Sequence, residues 1–444
     1  MPMRSIPALL VFTCLIHAEG ATGAPSDELR TALADIDLKG DWKYHDLAAG
    51  IAEAQATGKP LMVVYRCVPC VMCRSLDGVV RRREDPKMAE LMDQFVCVRM
   101  VQAWDMDMAL FQTDNNLSWV VYFINPDKTL YGRYGHGRNS DADISVEGFR
   151  AACEGALQLH ERYPQNKAGL AGKIGPTPKW SVPQQIPDIA KESRFKKVTT
   201  DPKGCIHCHH VEMGTVNESV KTHGKWTDAD LWRFPMPDTL GLTMDPKAAA
   251  TVATVAPASA AVKAGFKAGD RITAFAGQPV ISIADLQWVL EHTGETGKIA
   301  AQIDRGGKPS TLTLELKPGW RRNGDFAWRT ACWQIRVQIA GFGVDTLTDE
   351  QRQTLRLPAN AMGLKVKKYP PNWARNLNKS PQQAGLQEGD ILLSVDGVGD
   401  RLSESRWLAY LAQGKKAGDS IKVKVRRGDQ TMEVEFKVGK IAGE

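Results

Sequence analysis

No run in this 444-residue sequence is apolar for long enough to span a bilayer comfortably. The longest, Ile6–Ile16, falls well short of the roughly 20 residues a spanning helix needs. Charge of one sign is also scarce. Lys and Arg number 57 against 51 Asp and Glu, a balance of +6. No basic stripe interleaved with aromatics accompanies it, which argues against a nucleic-acid partner. The short run Arg81–Glu84 reads as a solvated helix face. Gly-x-Ser-x-Gly is missing, as is any recognisable triad neighbourhood, which argues against a serine protease. The cysteines do not form a disulfide framework either, because five of them crowd into two tight clusters.

The N-terminus carries Arg4, then the Ile6–Ile16 run, then small residues with a fitting cleavage point between Gly20 and Ala21. This predicts a secretory signal over residues 1–20, an exported (periplasmic or extracellular) chain, and no membrane span after cleavage. Thr13 before Cys14 does not fit a lipid-attachment site. Eight cysteines then remain: 67, 70, 73, 97, 153, 205, 208 and 332. Cys97, within "FVCVRMV", and Cys153, in a helical stretch, read as inert buried thiols.

Residues 40–163 alternate helix and strand. "DLAAGIAEAQATGK" has helical spacing, and "PLMVVYR" and "FVCVRMV" are short β-branched runs. "SWVVYFINPDKTLYGRYG" reads as two strands about an Asn-Pro-Asp turn. This is α/β architecture. Residues 164–235 are broken by Pro176, Pro178, Pro183 and Pro187 and read as an irregular linker module. The C-terminal half repeats itself at a shift of 120. Gly265, Gly269, Asp270 and Gly277 return as Gly385, Gly389, Asp390 and Gly397, and each copy closes with alternating strands about a Gly turn. The expected fold class is therefore multidomain, α/β plus β-rich.

The segments "SAAVKAGFKAGDRITAFAGQPV" and "SPQQAGLQEGDILLSVDG" resemble PDZ domains of the HtrA-like kind, predicted over 236–320 and 338–440. The resemblance implies a loop that receives the C-terminal carboxylate of a peptide or protein partner. It falls here on Leu240, Gly241 and Leu242, and on Phe342, Gly343 and Val344. HtrA-like PDZ domains usually follow a serine protease, which this sequence lacks.

"LMVVYRCVPCVMCRSLD" sets Cys67, Cys70 and Cys73 at a strand-to-helix junction and resembles a thioredoxin-like active site. A helix N-terminus favours the thiolate, and a second thiol three residues on can resolve a mixed disulfide. Two overlapping pairs compete, Cys67/Cys70 and Cys70/Cys73. The second suits the strand length better, with Cys70 as nucleophile, Cys73 as resolver and Cys67 as an extra thiol. The resemblance implies a thiol–disulfide oxidoreductase. It also implies a proline before the strand at Trp119, where Asn116-Leu117-Ser118 stands instead.

"GCIHCHHV" contains Cys205-x-x-Cys208-His209, which matches the attachment motif of c-type haem. Two thioethers would anchor the porphyrin, and His209 would be the axial ligand. Met213 and His210 lie too close in sequence to reach the far face of the iron. Met236, followed by Pro237, is preferred over His223 and Met244, and an open sixth position is the other option. Zinc is the rival: Cys205 and Cys208 with two of His207, His209, His210 and His223 make a tetrahedral set. A Cys205–Cys208 disulfide is third. The leading expectation is an exported redox protein in which a thiol pair and haem c act together, with PDZ docking and an electron-carrier partner. The alternative is a non-enzymatic PDZ adaptor with structural zinc and a degenerate thioredoxin-like domain.

Overall fold

A computed structural model describes residues 26–66, 74–116, 119–135, 144–192, 206–370 and 377–440. The expected signal segment, Cys67, Cys70, Cys73 and Cys205 lie outside the described residues. Among those described, no helix is long and apolar enough to cross a membrane.

The first unit is a five-stranded sheet in the order β1-β3-β2-β4-β5. Its strands are β1 (Trp42–Tyr44), β2 (Leu61–Arg66), β3 (Val96–Met100), β4 (Trp119–Ile124) and β5 (Leu130–Gly135). β2 and β3 run parallel, and β4 and β5 form the antiparallel hairpin about the Asn-Pro-Asp turn. β2 is buried throughout because it feeds two cores. Leu61, Val63 and Tyr65 face one cluster, Met62 and Val64 the other, as a two-residue side-chain period requires. The second cluster is covered by α2 (Arg74–Arg82), α3 (Pro86–Met92) and α4 (Val146–Glu161). Helix α1 (Leu47–Thr57) lies on the first. Its Asp46 cap accepts from Ala49 N at 2.9 Å, and Gly58 ends it in the left-handed region. Cys97 and Cys153 are buried in the second cluster, and burial pushes the Cys97 thiol up to about 12.

The repeat becomes two further sheets. One runs β11-β10-β8-β9, with β6 (Leu242–Met244) and β7 (Val252–Val255) as a separate pair. Its strands are β8 (Arg271–Phe275), β9 (Gln278–Pro279), β10 (Gly297–Arg305) and β11 (Lys308–Leu316). The other runs β12-β13-β14-β15-β16, from β12 (Val344–Thr346), β13 (Leu364–Val366) and β14 (Ile391–Val395) to β15 (Ser420–Arg427) and β16 (Gln430–Lys437). The shared Gly-x-x-x-Gly-Asp motif has one physical job in both. Asp270 accepts two bonds from Arg305 at 2.6 and 2.8 Å, and Asp390 accepts two from Arg427, both at 2.7 Å. Each arginine also donates to the first glycine's carbonyl, Gly265 or Gly385. Bidentate pairs of this kind fix geometry as well as charge. Each aspartate thereby ties the tip of a strand hairpin to the turn ahead of β8 or β14.

The segment between the first sheet and the repeat is more ordered than its prolines suggest. It contains a 16-residue helix, α5 (Cys208–His223). Val211 packs into the thioredoxin-like core with Tyr65, Phe111 and Tyr122, whereas Val216 and Val220 pack into the core of the last sheet. At roughly 100° per residue, Val211 and Val220 point in opposite directions. The helix is wedged between two units, so its apolar residues share no single stripe and leave no period to read.

Helix α6 (Ala260–Ala264) packs on β11, and α7 (Ile283–Glu291) packs on β5. Helix α8 (Glu404–Gly414) occupies the position of α7 in the second copy. β5 is an edge strand, and α7 closes it. Asp285 accepts from Arg133 N at 3.1 Å, and Ser282 Oγ donates to Arg133 O. Arg133, Lys173 and Asp285 are all 0% exposed at this joint, with Lys173 Nζ 2.8 Å from the carboxylate. The Arg133 guanidinium lies 3.8 Å over the Trp288 ring, whose N–H donates to Gly172 O at 2.9 Å. A second joint forms at Asp114, which binds Arg329 at 2.7 Å and accepts from Gln287 at 3.0 Å. Sheet, linker and first PDZ unit are thus held together by buried, paired charges.

Candidate functional site

The described chain on either side of the Cys67–Cys73 segment is held by a buried ion network. Arg66 ends β2, and its Nε is 3.1 Å from Asp77 in the first turn of α2. Arg99 on β3 donates to Asp77 at 2.8 and 3.2 Å and to Asp35 at 2.6 and 3.1 Å. Burial pushes the Asp77 carboxyl up, but Arg99 and Arg66 outweigh it and hold the group below the usual carboxylate range. These charged residues were not singled out from the sequence. "Arg99 in a buried strand" was the available signal.

The Cys205–His209 motif meets the same unit. Ile206 is buried, and its carbonyl accepts from Ala103 N at 3.2 Å. Cys208 opens α5, half-buried against the cluster that includes Tyr65, Tyr122, Trp104 and Met106. Tyr65 stands two residues ahead of Cys67 in the chain, and burial, with Asp105 and the Cys208 thiol nearby, pushes its hydroxyl up. His207 precedes the helix, its N–H donating to His210 Nδ1 at 3.1 Å. The His207 and His209 rings stack at 5.1 Å, and His210 lies 4.6 Å from His209. Among the described residues, no group of three His, Cys, Asp or Glu is arranged to hold a metal ion. Glu212, one turn beyond Cys208, is buried beside Arg233 at 3.3 Å, and burial raises its carboxyl.

The donor set fits haem attachment on one side only. Cys208 packs against the apolar cluster of the first sheet, and His209 follows it, half-buried, in the first turn of α5. Met236 is elsewhere: its side chain is buried in the first PDZ core with Phe234, Leu240 and Trp288. The methionines that do share the cluster of Cys208 are Met100, Met106 and Met108. The sequence signal for two of them was the alternation "DMDM", which the reading of nearby residues did not use.

Leu240 ends the 3₁₀ turn Pro237–Leu240, and Gly241 follows at φ +90°. A Cβ at Gly241 would meet Ser259 Cβ at 2.2 Å, so both the backbone angle and the space require glycine. The turn uses its own donors: Thr239 N bonds Met236 O at 3.0 Å and Gly241 N bonds Asp238 O at 2.8 Å. Beside it opens a cavity of about 570 Å³, lined from the turn, α6, and β11 with the residues that follow it. Leu242 enters β6 opposite Val255. In the second unit Phe342 is buried among Trp407, Phe436 and Tyr369. Val344 pairs with Val366, and Gly343 O accepts from Lys367 N at 2.9 Å. A Cβ at Gly343 would touch Lys367 and Arg336, whose charges are met by Glu404 at 3.9 and 2.7 Å.

Family models match two parts of the chain: "Thioredoxin-like" over residues 41–126 and "PDZ domain" over 237–316. The chain is a multidomain α/β and β-rich protein containing a thioredoxin-like domain and a PDZ domain. It is 28% identical over 190 residues to the periplasmic pH-dependent serine endoprotease DegQ of Escherichia coli, covering 43% of this chain and 36% of that protein. To a probable periplasmic serine protease do/HhoA-like of Haemophilus influenzae it is 29% identical over 147 residues, covering 33% and 27%. The regulator of sigma-E protease RseP of Escherichia coli matches at 44% over 68 residues, 15% of each chain. The chain thus spans well under half the length of these relatives. Among solved structures, an HtrA3 PDZ domain bound to a phage-derived ligand (FGRWV) matches at 22% identity and a TM-score of 0.17. That match covers 23% of this chain and 82% of that one.

Proposed function

We propose that the chain is an exported redox protein in which a thioredoxin-like thiol pair works beside a c-type haem while PDZ docking holds a protein partner. The observation that carries this is the seat of Cys208. The motif helix α5 begins against the thioredoxin-like sheet, next to Tyr65, on the strand that leads directly into Cys67. The helix of the second cysteine motif thus packs on the sheet whose strand β2 precedes the first motif in the chain. The relatives described as periplasmic support export.

Cys205 and Cys208 would anchor the haem and His209 would face its iron, supplying a one-electron centre. The thiol chemistry belongs to the chain itself. Cys70 thiolate attacks a client disulfide, expelling one client thiol, and Cys73 displaces the other. The client gains two electrons and two protons, and the pair closes to a disulfide. An electron-carrier protein would restore the dithiol. The Arg66–Asp77–Arg99 network ties β2 to α2.

Protein matured in a host that attaches c-type haem should give a pyridine haemochrome spectrum, and Cys208→Ser should lose the second thioether. Glutathione-disulfide reduction should fall with Cys70→Ser and Cys73→Ser. A preparation with no Soret band and no thiol-dependent turnover would leave a docking adaptor and overturn the redox role.

A further inference from the structure

The PDZ helix that ordinarily flanks a peptide groove is covered here. Every residue of α7 from Ile283 to Leu290 is buried. Ser282 and Asp285 are bound to Arg133 of β5, Gln287 to Asp114 and to Phe234 O, and Trp288 to Gly172 O. The thioredoxin-like unit and the chain before the turn therefore occupy the outward faces of this helix. The turn itself uses the N–H groups of Thr239 and Gly241 internally. A ligand carboxylate needs another source of positive charge and another way in.

The 570 Å³ cavity supplies both, and its lining does not come from α7 or β6. Its volume falls within the roughly 300–1,000 Å³ of ordinary ligand pockets. Leu240, Leu316 and Trp320 give it apolar walls. Lys263 on α6 and Lys317 just past β11 stand exposed at its rim, and neither forms an ion pair among the described residues. Thr239 adds to the lining a buried hydroxyl with no hydrogen-bond partner among the described residues. Asp238 and Glu315 share the rim. Their charge disfavours a second acidic residue in the ligand beside the carboxylate that the two lysines would attract.

We infer that the first PDZ unit receives a peptide C-terminus in this cavity, on the α6 side of the turn, with an apolar last side chain inside and the terminal carboxylate between Lys263 and Lys317. The inference rests on the docking role proposed above and assigns it to a face and to residues. The second unit does not repeat the pair of lysines, because at the shift of 120 Gln383 stands at the position of Lys263.

The full-length chain is first screened against a library of random C-terminal heptapeptides. The consensus is then measured by fluorescence anisotropy as a free acid and as an amide. Apolar C-termini without a neighbouring Asp or Glu should be selected. Amidation, and Lys263→Gln with Lys317→Gln, should each weaken binding at least tenfold. Ala260→Phe should abolish binding by filling the cavity, while circular dichroism confirms the fold. If the peptide binds and neither the lysine variants nor Ala260→Phe change it, the site is wrong while docking stands. If no C-terminus binds, docking itself falls. N-acetyl-leucine competing as well as the peptide would make this a pocket for small carboxylates and overturn the peptide assignment.

Discussion

Replacing Arg99 by methionine tests whether the ion network holds the thioredoxin-like site together. Arg99 is 0% exposed and donates four bonds to two carboxylates, Asp35 at 3% and Asp77 at 4% exposure. Methionine fills much of the space but leaves Asp77 with Arg66 at 3.1 Å and Arg81 at 3.9 Å, and Asp35 with Tyr44 at 3.3 Å and Arg81 at 3.9 Å. Uncompensating buried charge costs about 3–5 kcal/mol. In wild type the Asp77 carboxyl lies below its ordinary value, so its contribution is present at neutral pH and is lost only as pH falls through that lowered value. In the variant burial weighs more heavily on the Asp77 carboxyl, so protonating it relieves part of the deficit as pH falls. Urea unfolding followed by tryptophan fluorescence should show the deficit at pH 7.5 and a smaller deficit at pH 5. A loss below about 1 kcal/mol, or a gap that widens on acidification, would refute the argument.

Asp285→Ala should cost about 3–5 kcal/mol, because Lys173 and Arg133 lose their shared counter-charge. Burial already lowers the Lys173 ammonium below the ordinary lysine value, so the variant should recover stability as pH rises toward 10, measured by calorimetry. Gly132→Val would drive a Cβ to 2.5 Å from Ile281 Cδ1 and 2.6 Å from Asp285 Oδ2. It should prise α7 from β5 and expose the 164–192 segment to limited proteolysis; unchanged cleavage would place the joint elsewhere.

Legibility followed locality. β2, β3 and the β4–β5 hairpin declared themselves through β-branched runs and an Asn-Pro-Asp turn. Helix α1 did so through the helical spacing of its residues. The repeated glycines and aspartates announced two copies of one fold, and their bidentate arginines, Arg305 and Arg427, stand just before the Gly turn of each closing hairpin. Helix α5 was hidden because its two ends serve different cores. Gly214 adds to this: a Cβ there would meet Ile186 Cγ2 at 2.8 Å, so close packing needed a residue that signals no helix. The joint of Arg133, Lys173 and Asp285 was not readable either. Each residue looks ordinary in its own strand, turn or helix, and only the fold brings them together. The preference for Met236 followed a sequence habit of Met beside Pro, whereas its side chain completes an apolar core.

Helix α5 also sets an order of events. A chain made from its N-terminus can complete the thioredoxin-like sheet and seat Ile206 and Val211 on it early. Val216, Val220, Trp226 and Trp232 must wait, because their partners on β12–β16 lie more than a hundred residues downstream. Until the last sheet arrives, the second half of the helix has nothing to pack against.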